Sequence, residues 1–277
     1  MLTCDVMKLP PDPDGWRCHP PRESAERLMH SIVKRGLRGV ALLTPVKPML
    51  LRNVRSVVSF TFDDFPASAG QVGVQILHRY DVRATYYVSG GLESENKGDN
   101  KLYTADELRM VMAYGHEIGC HTYDHTAAQD MTISELSGQL DRNATTLRER
   151  YGVNEIHSFA FPYGIVTLPS KLLVARRFVT ARCSRAGIHV GWADLAQLRA
   201  NPIGPSDESF RACCALLERA RRGRSWLIFY THDISDSPSP FGCTRAQLKA
   251  LVAYAVDSGC TVLPMRNAVD FVSVPGH

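Results

Sequence analysis

Ser56-Val-Val-Ser-Phe-Thr-Phe-Asp-Asp64 is the stretch that decides the fold. Residues 56–62 are mostly β-branched or aromatic and read as a strand, which ends in two adjacent carboxylates. The same construction recurs downstream. A helix is expected from about Ser68, with Val72, Ile76 and Tyr80 on one face, and then a strand over Ala84–Val88. Thr104–Glu107 has the spacing of a capping box and opens the next helix. Glu117–Thr122 reads as the third strand. Thr132–Glu135 is a second capping box, and Ile133, Leu136, Leu140 and Leu147 keep a helical period behind it. Strands are expected over Ser158–Phe161, Phe178–Cys183, Leu227–Thr231 and Thr261–Leu263, and helices over Phe210–Arg221 and Arg245–Asp257. Repeated strand–helix units call for a parallel sheet with right-handed crossovers. The expected class is therefore α/β, with a closed or nearly closed barrel ahead of a doubly wound open sheet. No Gly-x-Gly-x-x-Gly or Walker-type loop follows the first strand, which argues against a nucleotide fold.

Outside these units the chain divides into two expected parts. Residues 1–54 form an arm, Pro-rich over 1–21, with a basic helix over Glu23–Arg38; residues 55–277 form the barrel domain. The composition, 44% hydrophobic and 22% charged, excludes disorder as the default, and a core of this size needs no disulfide. The net charge of +4 is uneven: Arg27, Lys34, Arg35, Arg38, Lys47, Arg52 and Arg55 come with no acidic residue between them. Such a flank over residues 27–55 can meet a membrane surface or an anionic substrate, although a solvated helix face is the plainer reading. No nucleic-acid partner is expected. The first residues carry acids and prolines where a signal peptide carries an apolar stretch, and no apolar run nears the roughly 20 residues that cross a bilayer. A cytoplasmic protein is expected. None of the eight cysteines forms a Cys-x-x-Cys pair, so free thiols without a structural disulfide are expected.

Unusual polar residues sit just past the ends of expected strands: Asp63 and Asp64, His121 and His125, Tyr163, and His232. In α/β barrels that rim is where active sites are built. Adjacent carboxylates leaving a strand point to opposite sides unless the chain turns. Turned, one can ligate a cation while the other takes a proton; a solvated Asp-Asp turn is the bland alternative. In His121-Thr-Tyr-Asp-His125 the imidazoles share a face if the segment is helical, so one metal can bridge them. Two histidines and one carboxylate leave open positions for water and substrate, as a catalytic zinc site requires, and the same set holds other divalent ions. In Phe159-Ala-Phe-Pro-Tyr-Gly164 the proline and glycine fix a turn that can aim a backbone amide at an oxyanion. Leu227-Ile-Phe-Tyr-Thr-His232 delivers a histidine from an apolar strand. An imidazole ordinarily titrates near pH ~6.5 and can donate a proton at neutral pH; a core histidine bonded to backbone is the alternative. The remaining histidines lack such company.

Taken together, these motifs resemble those of the NodB-homology polysaccharide deacetylases, carbohydrate esterase family 4. Thr61–Asp64, His121–His125, Phe159–Gly164 and Ile228–His232 follow that family's order and spacing from about Arg55 to Leu263. The resemblance implies a distorted (β/α) barrel of about seven parallel strands and hydrolysis of N-acetyl groups on a sugar substrate; whether that sugar is carried on lipid or nucleotide is left open by the sequence. It also implies a divalent metal, zinc first with cobalt, nickel or manganese as alternatives. It makes Asp63 the base, Asp64, His121 and His125 the ligands, the Tyr163 amide an oxyanion donor and His232 the acid. Two departures matter. The Arg of the third motif is Ala160 here, so Arg182 becomes the candidate to orient the base, with Asp194 a candidate partner for Arg182 or His232. Phe65 follows Asp64 where glycine is frequent; with Phe-Pro-Tyr-Gly it is similar to the branch associated with bacterial surface-polysaccharide synthesis. A deformylase, an O-deacetylase, a non-catalytic carbohydrate-binding relative and a cyclic-amide hydrolase are the competing readings.

Overall fold

The computed structural model describes residues 36, 38–97 and 100–274. Its frame is a set of parallel strands: β1 (Val57–Phe62), β2 (Thr85–Val88), β3 (Glu117–Cys120), β4 (Ser158–Ala160), β5 (Thr180–Arg182) and β6 (Ser225–Thr231). They lie in the order β6-β1-β2-β3-β4-β5. The hydrogen bonding continues past β5: Leu198 N–H donates to Ala181 O at 2.8 Å, and Asn201–Pro202 pairs parallel with β6. Thr261–Val262 pairs with the first residues of β1. The sheet thus curls back on itself as a distorted barrel.

Strand parity explains where the site falls. Side chains alternate faces along a strand. Val58, Phe60 and Phe62 pack with Leu227 and Phe229 against the helical layer. Val57 joins Trp226 and Ile228 in a second cluster, and Ser59 accepts the Trp226 indole N–H at 3.0 Å. Asp63 continues the parity of Val57 and Ser59, and His232 that of Trp226 and Ile228. Both faces of β1 are buried, as strands covered by helices require.

Both expected capping boxes form: Glu107 accepts from Thr104 N–H at 2.8 Å and Glu135 from Thr132 N–H at 2.7 Å. Several element ends differ from expectation; the helix expected from Phe210 starts at Asp207 and the strand expected from Leu227 at Ser225. The helix after Ser68 opens with a π-helical turn, Ala69–Gly73, before Val74–Arg79. β3 stops at Cys120, because Thr122 adopts φ +61°, and β5 is shorter than Phe178–Cys183. The helix expected over Glu23–Arg38 lies almost wholly outside the described residues, as do Arg27, Lys34 and Arg35. From residue 38 the chain packs on the barrel. Ala41 is buried, Pro48–Leu50 pairs antiparallel with Trp192–Asp194, and Arg52 N–H donates to Val272 O at 2.7 Å. Among the described residues, six cysteines are free thiols, and no helix is long and apolar enough to cross a membrane.

Candidate metal centre and its cleft

The two carboxylates part company because the chain turns at the end of β1. Asp64 and Phe65 adopt φ +57° and +50°, left-handed conformations unusual for residues with a Cβ. Each costs about 1–2 kcal/mol. The Phe65 ring repays this locally: it is fully buried, stacked on Tyr103 at 4.9 Å and edge-on to Tyr86 at 5.1 Å. Burying such a side chain is worth roughly 1.5–3 kcal/mol, which offsets much of the cost of the two left-handed residues.

Asp64 meets the histidines. Its Oδ1 lies 2.8 Å from His125 Nε2 and 3.7 Å from His121 Nε2. Donor atoms of the three residues lie within 4.8 Å of one another, the one such group among the described residues. Segment 121–125 is not helical, so the expected helical spacing is not what brings the imidazoles together. Left-handed turns at Thr122 and His125, φ +61° and +54°, do so instead. His121 Nδ1 sits 2.7 Å from the Ala160 carbonyl, which fixes Nδ1 as the donor and leaves the Nε2 lone pair facing Asp64. Burial, with help from neighbouring His125, lowers its pKa to about 4, so it is neutral at pH 7 as a ligand must be. Burial by itself would raise the Asp64 pKa. The His125 hydrogen bond and the charges of His121, His125 and His232 outweigh it and hold the carboxyl below its usual range. A buried carboxylate facing two imidazoles is the donor set of a divalent site with open positions.

Asp63 has a different partner. Arg182 Nη2 donates to its Oδ1, and the buried guanidinium lies over the rings of Tyr87 at 4.6 Å and Tyr230 at 5.2 Å. His232 stands at the open side with Nε2 3.6 Å from Asp64 Oδ2 and Nδ1 3.2 Å from the Phe241 carbonyl. Tyr163 is exposed at the rim, φ +57°, its ring 4.7 Å from that of His125. Gly164 cannot be replaced there: φ is +66° and a Cβ would fall 1.8 Å from Ser184 Oγ. Asp63, Asp64, His121, His125, Tyr163, Arg182 and His232 line one cavity of about 630 Å³, together with the 237–241 loop.

Asp194 is the expected site residue that lies elsewhere. It pairs with Lys171 Nζ at 2.7 Å and accepts from Lys47 N–H at 2.9 Å and Val46 N–H at 3.2 Å. Its carboxylate anchors the segment before β1 and reaches neither Arg182 nor His232. Asp194→Ala leaves the Lys171 ammonium buried without its counter-charge. A loss of about 3–5 kcal/mol in urea-denaturation stability is expected, with zinc affinity unchanged. Weakened zinc binding in a fully stable variant would return Asp194 to the site. Conversely, Tyr87, Tyr230 and the 237–241 loop were not singled out in the sequence. Tyr230 shares strand parity with His232, a signal available but unspecific; the loop offers none.

A family model described as polysaccharide deacetylase matches residues 52–177, a span that includes Asp63, Asp64, His121, His125 and Tyr163. Peptidoglycan-N-acetylglucosamine deacetylase PgdA of Listeria monocytogenes is 28% identical over 120 residues, covering 39% of this chain and 24% of the relative. The first curated relatives are matched over a quarter of their length or less. Among solved structures, one of T48 deacetylase with substrate aligns with a TM-score of 0.56 at 18% identity, covering 78% of this chain and 92% of the other. A CE4 family pseudoenzyme from Bacillus anthracis aligns with a TM-score of 0.58 at 16% identity, covering 83% and 71%. At such identities the structures show a shared fold and nothing of activity.

Proposed function

Because the chain belongs to the polysaccharide deacetylase family, we propose that it is a metal-dependent hydrolase that removes N-acetyl groups from an amino sugar in a saccharide or polysaccharide precursor, releasing acetate. The observation that carries this reading is the division of labour between adjacent carboxylates. Asp64 faces two histidines, whereas Asp63 is held by Arg182, and both line one cavity with His232.

Asp64, His121 and His125 would hold the divalent ion, which when bound supplies a Lewis acid for the acetamide carbonyl. Asp63 takes the proton of the attacking water. The Arg182 guanidinium holds that carboxylate in one orientation, the task left open by Ala160. The Tyr163 backbone amide, presented by the Pro162–Gly164 turn, donates to the developing oxyanion. His232, with Nδ1–H donated to the Phe241 carbonyl and Nε2 toward the cavity, acts as the imidazolium and gives its Nε2 proton to the leaving amine. We propose a cytoplasmic site of action.

Acetate release from acetylated sugars, nucleotide sugars and lipid-linked sugars tests the proposal. Release from at least one N-acetyl substrate is expected, abolished by chelator and restored by zinc, cobalt, nickel or manganese. Formate or O-acetyl release alone would make it a deformylase or an esterase. No turnover of any substrate, with sugar binding intact, would make it a non-catalytic relative.

A further inference from the structure

We infer that Asp233 is a positioning residue that holds the His232 imidazole in place through the carbonyl of Phe241. The inference rests on the proposed role of His232.

His232 has no carboxylate at Nδ1. Its Nδ1 partner is the Phe241 carbonyl, which also accepts from His232 N–H at 3.2 Å and Thr231 Oγ1 at 3.3 Å. A carbonyl nine residues downstream can orient a ring only if the loop between is stiff. Pro238 and Pro240 fix two backbone dihedrals in it. Asp233 supplies the rest. Its side chain is 1% exposed and turned into the loop, where Oδ2 accepts from Ser239 N–H at 2.9 Å and Oδ1 from Ser239 O–H at 2.5 Å. Its carbonyl accepts from Cys243 N–H at 3.0 Å. The carboxylate is seated against bare backbone, since a Cβ on Gly242 would lie 2.4 Å from Oδ1. Ile234 N–H donates to Ser68 Oγ at 3.1 Å, which ties the loop to the segment following the Asp63–Asp64 turn.

Asp233 therefore closes the loop on itself one residue after His232, and the closed loop returns the Phe241 carbonyl to the imidazole. With Nδ1–H donated there, Nε2 is kept toward the cavity. Without the clasp the carbonyl drifts and the imidazole is free to flip. Displacements near 1 Å at a reacting group cost on the order of 10²-fold in rate.

The test uses the zinc-loaded full chain with Asp233→Ala, Asp233→Asn, Ser239→Ala and His232→Ala. Asparagine preserves the clasp, because its carbonyl accepts the Ser239 N–H and the serine hydroxyl can accept as well as donate. Asp233→Ala is expected to lower kcat on the N-acetyl sugar roughly 10–100-fold with little change in KM. An activated acetate ester, whose leaving group needs no proton, should be hydrolysed almost as before. Asp233→Asn should restore most of the rate, Ser239→Ala should fall between, and Asp233→Ala should add little to His232→Ala. Independently of turnover, nitrogen-15 spectra of His232, recorded at a pH where the ring is neutral, should show a single Nδ1–H tautomer in the parent and in Asp233→Asn, and tautomer averaging in Asp233→Ala. Equal losses on amide and ester, or an unchanged His232 spectrum in Asp233→Ala, would overturn the inference. If Asp233→Ala does not fold, Ser239→Ala decides by the same two readouts. If His232→Ala itself fails to separate amide from ester, the acid role falls, and the spectrum alone judges whether Asp233 positions the ring.

Discussion

Asp63→Asn is expected to bind zinc as the parent does and to lose roughly 10²–10⁴-fold in acetate release. Asparagine is nearly isosteric and its amide oxygen can still accept from Arg182 Nη2, so the residues around Asp64, whose own contacts are to His121, His125 and His232, have no cause to move. What is lost is the ability to take a proton from water. A second cost follows from burial. Arg182 is 1% exposed and loses its counter-ion, so the variant should also be less stable, by a few kcal/mol on the scale of about 3–5 for a broken buried pair. The rate must therefore be taken per folded molecule, with urea denaturation run alongside. Calorimetric zinc titration and acetate release together decide the matter. A variant that keeps turnover and loses zinc would show that the roles of the two aspartates are reversed.

His125→Ala should abolish zinc-dependent activity by another route. It removes the imidazole closest to Asp64, at 2.8 Å, and leaves two donors where a catalytic site needs three. Losing an outer-shell partner typically costs 10–100-fold in metal affinity; losing a ligand should exceed roughly 10²-fold. Zinc at about 100 times its dissociation constant stabilises a folded protein by roughly 2.7 kcal/mol. The parent should therefore melt later with zinc than with chelator, and His125→Ala should melt alike in both. Absence of a zinc-dependent shift in the parent would sink the metal assignment of Asp64, His121 and His125 together.

Much of this was legible in the linear chain because it is written in near neighbours. The run Ser56–Asp64 alternates as a strand must, and its continuation places Asp63 on the same face as Val57 and Ser59. The boxes at Thr104 and Thr132 announce their helices within four residues. The grouping of Asp64, His121 and His125 followed from their places after strands and from the family resemblance. The condition of a helix over 121–125 is not met: left-handed conformations at Thr122 and His125 bring the imidazoles together, and no residue type there announces a positive φ as a glycine would.

The sequence by itself determined that strands and helices alternate, and which polar side chains arrive at the strand ends, because a strand's period of two and the capping of a helix are local properties. The partnerships are set by the packing of the folded chain. Arg182 meets Asp63 across 119 residues, Asp194 takes Lys171 instead of a catalytic partner, and His232 is served by a backbone carbonyl. Each of these pairings depends on which strands the curled sheet brings side by side and on which groups burial leaves in need of a partner. A buried charge or N–H must be satisfied by whatever the fold places within about 3 Å of it, and that neighbour cannot be read from its distance along the chain.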